Sequence, residues 1–313
     1  MVSVKRLGRR YLDFEFPVRD EARLRIVERP GLWMRAAPLE RLVDEMRQVV
    51  RTVVPEGLHY GVLTGDKHRL DNALISILYD KRSHRPIAFN AFAYLEIELH
   101  GRPVDVLHLG LIMVDPACRA KGYSWVIVGL PCLLVFLRNG LQPVWITSVS
   151  QVPAVCGAVA RGFTGVYPSP FTESRCTFTQ LSIARQVMER HRAAFGAGTQ
   201  AQFDEDRFII RDGYAPGVEN LKKTFEQVAK HRDERVNDAC RRSLDYPRGD
   251  DFLQVGSIDF ACTREYLLRS VPRDSLPSVL YRATFVLLGR LVVPLLHWFM
   301  PKRQWGDLRP WRP

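Results

Sequence analysis

The sequence predicts a mixed α/β fold, a mostly antiparallel sheet flanked by helices, and three observations carry that expectation. Three strand-like runs, 73–79 (ALISILY), 87–99 (IAFNAFAYLEIEL) and 104–114 (VDVLHLGLIMV), are joined by the turn-forming stretches DKRSHR and HGRP. In the middle run every odd position from 87 to 99 is apolar, while even positions carry Asn90, Tyr94, Glu96 and Glu98. That alternation is the mark of an antiparallel meander with one face well buried. The pattern then changes to strand, loop, helix, strand and helix, which makes the sheet mixed and covers it.

The elements follow in order. PLERLVDEMRQVVRTVV (38–54) has apolar residues at 39, 42, 43, 46, 49, 50 and 53, an amphipathic helical stripe with proline in its first turn. The segment after Ser124 is apolar nearly all round and reads as a buried helix. Pro131 within it predicts a kink near Ile127, and Asn139-Gly140 closes it. PVWITSVS (143–150) reads as a strand and 152–163 as a short helix. Further on, 178–195 reads as helical, 207–211 and 252–259 as strands, and 216–243 as a highly charged helix.

Composition narrows the partners. The 313 residues suffice for one large domain or two small ones. Forty-five basic against 34 acidic residues give a net charge of +11, a surface that attracts anions. The basic residues are scattered and no aromatic–basic module appears, so nucleic acid is not an expected partner. The six cysteines show no CxxC pair, which argues for a reducing cytoplasm with neither disulfide framework nor metal site. The N-terminus, MVSVKRLGRRYLDFEF, lacks an apolar core of signal-peptide length, so export is not expected.

The chemistry concentrates in VDPACRAKGYSW, residues 114–125, between a strand and the buried helix. A helix N-terminus leaves backbone N–H groups unpaired and carries roughly half a positive charge. Phosphates bind there, most easily where glycine lets the backbone come close. Arg119, Lys121, Gly122 and Ser124 fit that use. The stretch resembles the pyrophosphate motif [RQ]-x-x-G-x-[GA] of the GNAT superfamily of acyl-CoA-dependent N-acyltransferases, with serine at the last place. Val114, Pro116, Arg119 and Gly122 are similar to that family's entry to the loop, and ARGF (160–163) to its K-x-G-F. The resemblance spans roughly residues 38–170.

The resemblance implies a splayed strand pair with pantetheine in the gap, held by main-chain groups around Ile112 and Val114. It implies that the amides of Lys121, Gly122, Tyr123 and Ser124, with the Arg119 side chain, hold the pyrophosphate of acetyl-CoA or a longer acyl-CoA. One amide near Ile112 would polarise the thioester carbonyl. Counting eleven residues back from Arg119, where several relatives place a glutamate base, gives His108. Period-2 geometry puts it on one face with Gly110, Ile112 and Val114. Glu96 and Glu98 are weaker candidates. The tyrosine that protonates the leaving thiolate in many relatives falls at Ala158, leaving Cys156, Ser148, Ser150 or Tyr167 as substitutes. The function implied is acyl transfer to a primary amine by direct attack. The alternatives are a long-chain transferase with an acyl carrier protein donor or a lipid-like acceptor, and a binding protein on the same scaffold.

Two segments are expected. Residues 1–270 form the GNAT-like domain, with helical additions after about 175, and 271–313 an apolar, basic extension. The extension carries seven basic and two acidic side chains and three of the six tryptophans. Arg290 near the centre of its apolar run disfavours a membrane span. It either packs on the domain or lies on an anionic membrane surface, which would make a cytoplasmic protein membrane-peripheral.

Overall fold

The computed structural model describes residues 11–300 apart from 19–20, 59–60, 120, 172–174 and 216–221, with side chains at all of these except 282, 285, 289–294, 296 and 297. A hairpin of β1 (Asp13–Val18) and β2 (Ala22–Glu28) comes first, followed by α1 (Pro30–Trp33), α2 (Ala36–Val53) and α3 (Lys67–Asp71). The meander is β3 (Ala73–Asp80), β4 (Pro86–Leu99) and β5 (Arg102–Val114). A wide i→i+5 turn over Trp125–Gly129 runs into α4 (Leu130–Arg138), then β6 (Val144–Ser150), α5 (Pro153–Gly162) and β7 (Thr164–Tyr167). The remainder supplies α6 (Phe178–Arg190), β8 (Gln202–Asp204), β9 (Ile209–Arg211), α7 (Glu234–Ser243), β10 (Asp251–Ile258), α8 (Phe260–Glu265) and α9 (Leu276–Phe299).

The described strands form one open sheet in the order β1-β2-β3-β4-β5-β6-β10-β9-β8, with β7 also paired to β10. Every neighbouring pair is antiparallel except β5 and β6, which run parallel. The fold is therefore the mixed, largely antiparallel sheet with flanking helices that the alternation and the strand–helix switch predict. Residues beyond 175 add α6 and three strands to that same sheet, so they are more than helical additions.

Helices cover both faces. The α2 stripe Leu42, Val43, Met46, Val49 and Val50 packs on Ile75, Ile77, Phe89 and Met113. On the same face α6 buries Ile183, Ala184 and Val187 against Leu95, Ile97, Leu253 and Val255. The opposite face carries α4, whose Leu130, Leu133, Leu134 and Phe136 meet Leu24, Phe92, Leu107 and Ile146. This second layer corrects the expectation of a single buried face on β4: Ala88, Asn90, Phe92 and Tyr94 are buried as well, and only Glu96 and Glu98 of that set stay exposed. Polar atoms under α4 are answered in place. Glu28 accepts from Leu12 N at 2.8 Å and Tyr94 Oη at 3.0 Å and pairs with Arg138 at the end of α4, tying hairpin, sheet and helix together.

Two further expectations change. Among the described residues of the charged stretch 216–243 only α7 is helical, capped by Asp233 accepting from Arg235 N. Phe225 and Val228 instead enter the core from turns, because no apolar periodicity holds the run in one helix. The extension divides its behaviour: Leu276, Val279, Ala283, Val286 and Leu287 pack on the α4 side of the domain, whereas farther along α9 Leu288, Leu295, Trp298 and Phe299 are exposed. No helix among the described residues is long and apolar enough to cross a membrane. Trp305 and Trp311 lie outside the described residues.

Candidate functional site

Two irregularities in β5 create the site. Ala91 faces Leu111 and Ala93 faces His108, so Leu109 and Gly110 together oppose Phe92 in a β-bulge. A Cβ at position 110 would run into the Ala91 carbonyl oxygen, which explains the glycine. The parallel pairing with β6 covers only Leu107–Leu109 against Ile146–Ser148. Beyond that rung β6 stays paired to β10 through Val149 and Ser150, while β5 continues to Val114 on the other side. The two strands part at the bulge, and a slot opens between them.

Main-chain groups line the β5 bank of that slot. Asp115 N donates to Ile87 O at 2.8 Å, so Asp115, Met113 and Leu111 direct their in-plane groups toward β4. By strand alternation the N–H and C=O of Ile112 and Val114 then face the β6 side, where no strand accompanies them. These are the two residues that the resemblance assigns to pantetheine.

The basic loop follows directly on the free end of β5. Asp115, buried, accepts from Ala117 N at 3.0 Å and pairs with Arg85 at 2.7 Å, pinning the tight turn Pro116–Cys118 at the strand exit. Arg119, Lys121, Gly122 and Ser124 are exposed, whereas the Tyr123 side chain is buried, so Tyr123 offers only main chain to a ligand. Gly122 has φ +71 with open space where a Cβ would stand. Val126 N and Ile127 N both donate to Tyr123 O at 3.1 Å. Amides before Val126, at Gly122 and Ser124 among others, therefore have no acceptor within the helix and point out of its mouth. Glycine geometry, two cations and a helix N-terminus meet at the end of the slot, a combination that fits a diphosphate.

Pro131 has the effect the sequence predicts by a specific route. It cannot donate to the Ile127 carbonyl, the helix widens into the turn over Trp125–Gly129, and buried Asn90 of β4 donates its Nδ2 to that carbonyl instead. Asn90 faces Ile112 across the strands, so the helix behind the phosphate loop is anchored to the sheet beside the slot.

His108 lies where β5 and β6 are still paired, opposite Thr147, at the closed end. The bulge corrects its expected facing. One extra residue inverts the alternation, so Leu111 and Met113 share the α2 face with His108, while Val114 joins the α4 face. The imidazole is 2% exposed, its Nδ1 sits 3.0 Å from Thr147 Oγ1, and its ring lies 5.3 Å from that of Phe195. Burial, with a smaller contribution from His191, lowers its pKa from 6.5 to about 4, so the ring is neutral at pH 7. The depressed value has a consequence for stability. Between pH 6.5 and 4 the unfolded chain takes up a proton that the folded chain refuses. Stability should thus fall by up to about 3 kcal/mol as pH drops through that window. Urea unfolding at pH 7 and pH 4.5 should show the slope, and His108→Gln should flatten it.

The other candidates separate cleanly. Glu96 and Glu98 are exposed toward the far end of β4. Cys156 is buried, donates to Ser150 O at 3.4 Å, and has its thiol pKa raised chiefly by a hydrogen bond with Cys240. Tyr167 Oη donates to Asp206 O, and Ser150 Oγ accepts from Val152 N. Ala158, where relatives carry tyrosine, is exposed on α5. Of the four substitutes only Ser148 stands at the fork, opposite Leu109.

No family model and no curated protein matches the chain. Among solved structures it is similar to a mutant of the AtaT toxin bound to the C-terminus of the antitoxin AtaR and acetyl-CoA, at 16% identity and a TM-score of 0.22. That likeness covers 27% of this chain and 57% of the other, under two thirds of its length. It is too distant to assign a family, and the site stands on its own geometry.

Proposed function

We propose that this chain is an N-acyltransferase that moves an acyl group from acyl-CoA to a primary amine by direct attack. The observation that supports this most is the end of β5–β6 pairing after Leu109 and Ser148, on the strand that leads directly into a basic, glycine-containing helix mouth. Arg119, Lys121 and the amides from Lys121 to Ser124 would hold the pyrophosphate, and Ile112 and Val114 the pantetheine. The thioester then reaches the bulge, where a main-chain donor near Ile112 polarises its carbonyl.

In this scheme the amine nitrogen bonds to the carbonyl carbon, the C–S bond breaks, and the amine proton passes to His108 directly or through water. The Ser148 hydroxyl, opposite Leu109, would donate a hydrogen bond to the departing thiolate, which takes its proton from solvent. A conjugate acid near 4 makes His108 always available but weak, so its share is modest. His108→Ala should lower turnover about tenfold with acyl-CoA affinity unchanged. The acid limb of the pH–rate profile should lie near pH 4, well below the neutral range an ordinary histidine would give. A limb near 6.5 that survives His108→Ala would assign the base elsewhere.

The reaction itself is tested by thiol release from acetyl-CoA and from long-chain acyl-CoA, with and without a panel of amines. Amine-dependent release supports the transferase. Binding without release makes the chain a binding protein on this scaffold, and failure to bind either thioester removes the proposal.

A further inference from the structure

The outer side of α9 has no place in the scheme above. Its inner residues Leu276, Val279, Ala283, Val286 and Leu287 recur at helical spacing and pack on the domain, which fixes the helix. Leu280, Leu288, Leu295, Trp298 and Phe299 recur at spacings of 8, 7, 3 and 1, which confines them to about 100° of the helix surface. They are exposed: Leu288 by 48%, Leu295 by 56%, Trp298 by 82% and Phe299 by 76%. An apolar strip ending in two bulky aromatics is costly to leave in water.

The sequence that follows identifies what covers it. PKRQWGDLRPWRP (301–313) contributes Lys302, Arg303, Arg309 and Arg312 against Asp307, with two more tryptophans. Apolar strip, interfacial aromatics and adjoining positive charge are together complementary to an anionic lipid surface. A second copy of the chain suits the strip less well, since this chain is itself strongly basic and offers the adjoining positive charge no opposite charge to meet. We infer that the outer face of α9 docks this protein in the plane of an anionic membrane, without crossing it. The inference does not depend on the transferase reading. It does bear on it, because α9 packs on the helix whose amino end is the phosphate loop, and a membrane-held enzyme would meet amphiphilic acyl donors or acceptors there.

The test is co-sedimentation of the full chain with phosphatidylcholine vesicles and with vesicles containing about a third phosphatidylglycerol, at low and high salt. The expected result is binding to the anionic vesicles alone, weakened by salt. Leu288→Glu/Leu295→Glu/Trp298→Glu should reduce it about tenfold or more with an unchanged thermal melt, since these side chains are exposed. Lys302→Gln/Arg303→Gln, a milder variant, should weaken it without touching the helix. No binding by the wild-type chain would overturn the inference. So would a dimer in sedimentation equilibrium that the triple variant dissociates while vesicle binding persists.

Discussion

Gly122→Glu should abolish acyl-CoA binding. Two effects act in the same direction: a carboxylate placed where the proposed diphosphate would sit, and a non-glycine residue held at φ +71. The second is the smaller, about 1–2 kcal/mol for an L-residue in the left-handed region. Open space around the position means no steric clash adds to it. Gly122→Ala therefore separates the two. It should destabilise the loop slightly and bind acyl-CoA with affinity within about tenfold of wild type, given that 1.4 kcal/mol is one decade. Calorimetric titration of both variants gives the comparison. Equal affinity for wild type and Gly122→Glu would remove the loop from the site.

Gly110→Ala should be the most damaging small substitution in the sheet. The added methyl meets the Ala91 carbonyl, a backbone atom that cannot step aside without breaking the β4–β5 ladder. Overpacking of this kind costs about 3 kcal/mol, and the melting temperature of a domain of this size should fall by roughly 5 °C. Because the bulge also sets where β5 leaves β6, acyl-CoA affinity should fall with stability. Gly162→Ala at the end of α5, where a Cβ meets nothing within 4 Å, is the control and should leave both nearly unchanged. If Gly110→Ala melts like the control, the bulge does not depend on glycine.

The sequence made the centre of the sheet legible because period-2 alternation in 73–114 is strong and the turns between are unmistakable. The candidate phosphate loop was legible for a different reason: glycine, two cations and a strand–helix junction each have a physical meaning at that spot. The bulge was not, since nothing in VDVLHLGLIMV shows that Leu109 and Gly110 share one partner, and strict alternation then assigns His108 the wrong neighbours. The surroundings of His108 likewise include the Phe195 ring and the charge of His191, both more than eighty residues away. The hairpin β1–β2 escaped because its charged residues mask it. Phe14, Phe16 and Val18 do alternate, as do Ala22, Leu24 and Ile26, but Glu15, Arg23 and Arg25 project from an edge that is only half covered. Charge density over 216–243 does not specify a helix, since no apolar stripe runs through it, and among the described residues only Glu234–Ser243 is helical.

The strand that braces the far bank of the slot is β10, and it joins β6 only after about a hundred intervening residues have emerged. Until then a growing chain can complete the meander and the loop but presents β6 as a bare margin, ready to pair with whatever it meets. Under the proposed function, competence to hold a thioester would thus be acquired late in synthesis, and a shortened chain ending at 250 should be both inactive and prone to self-association.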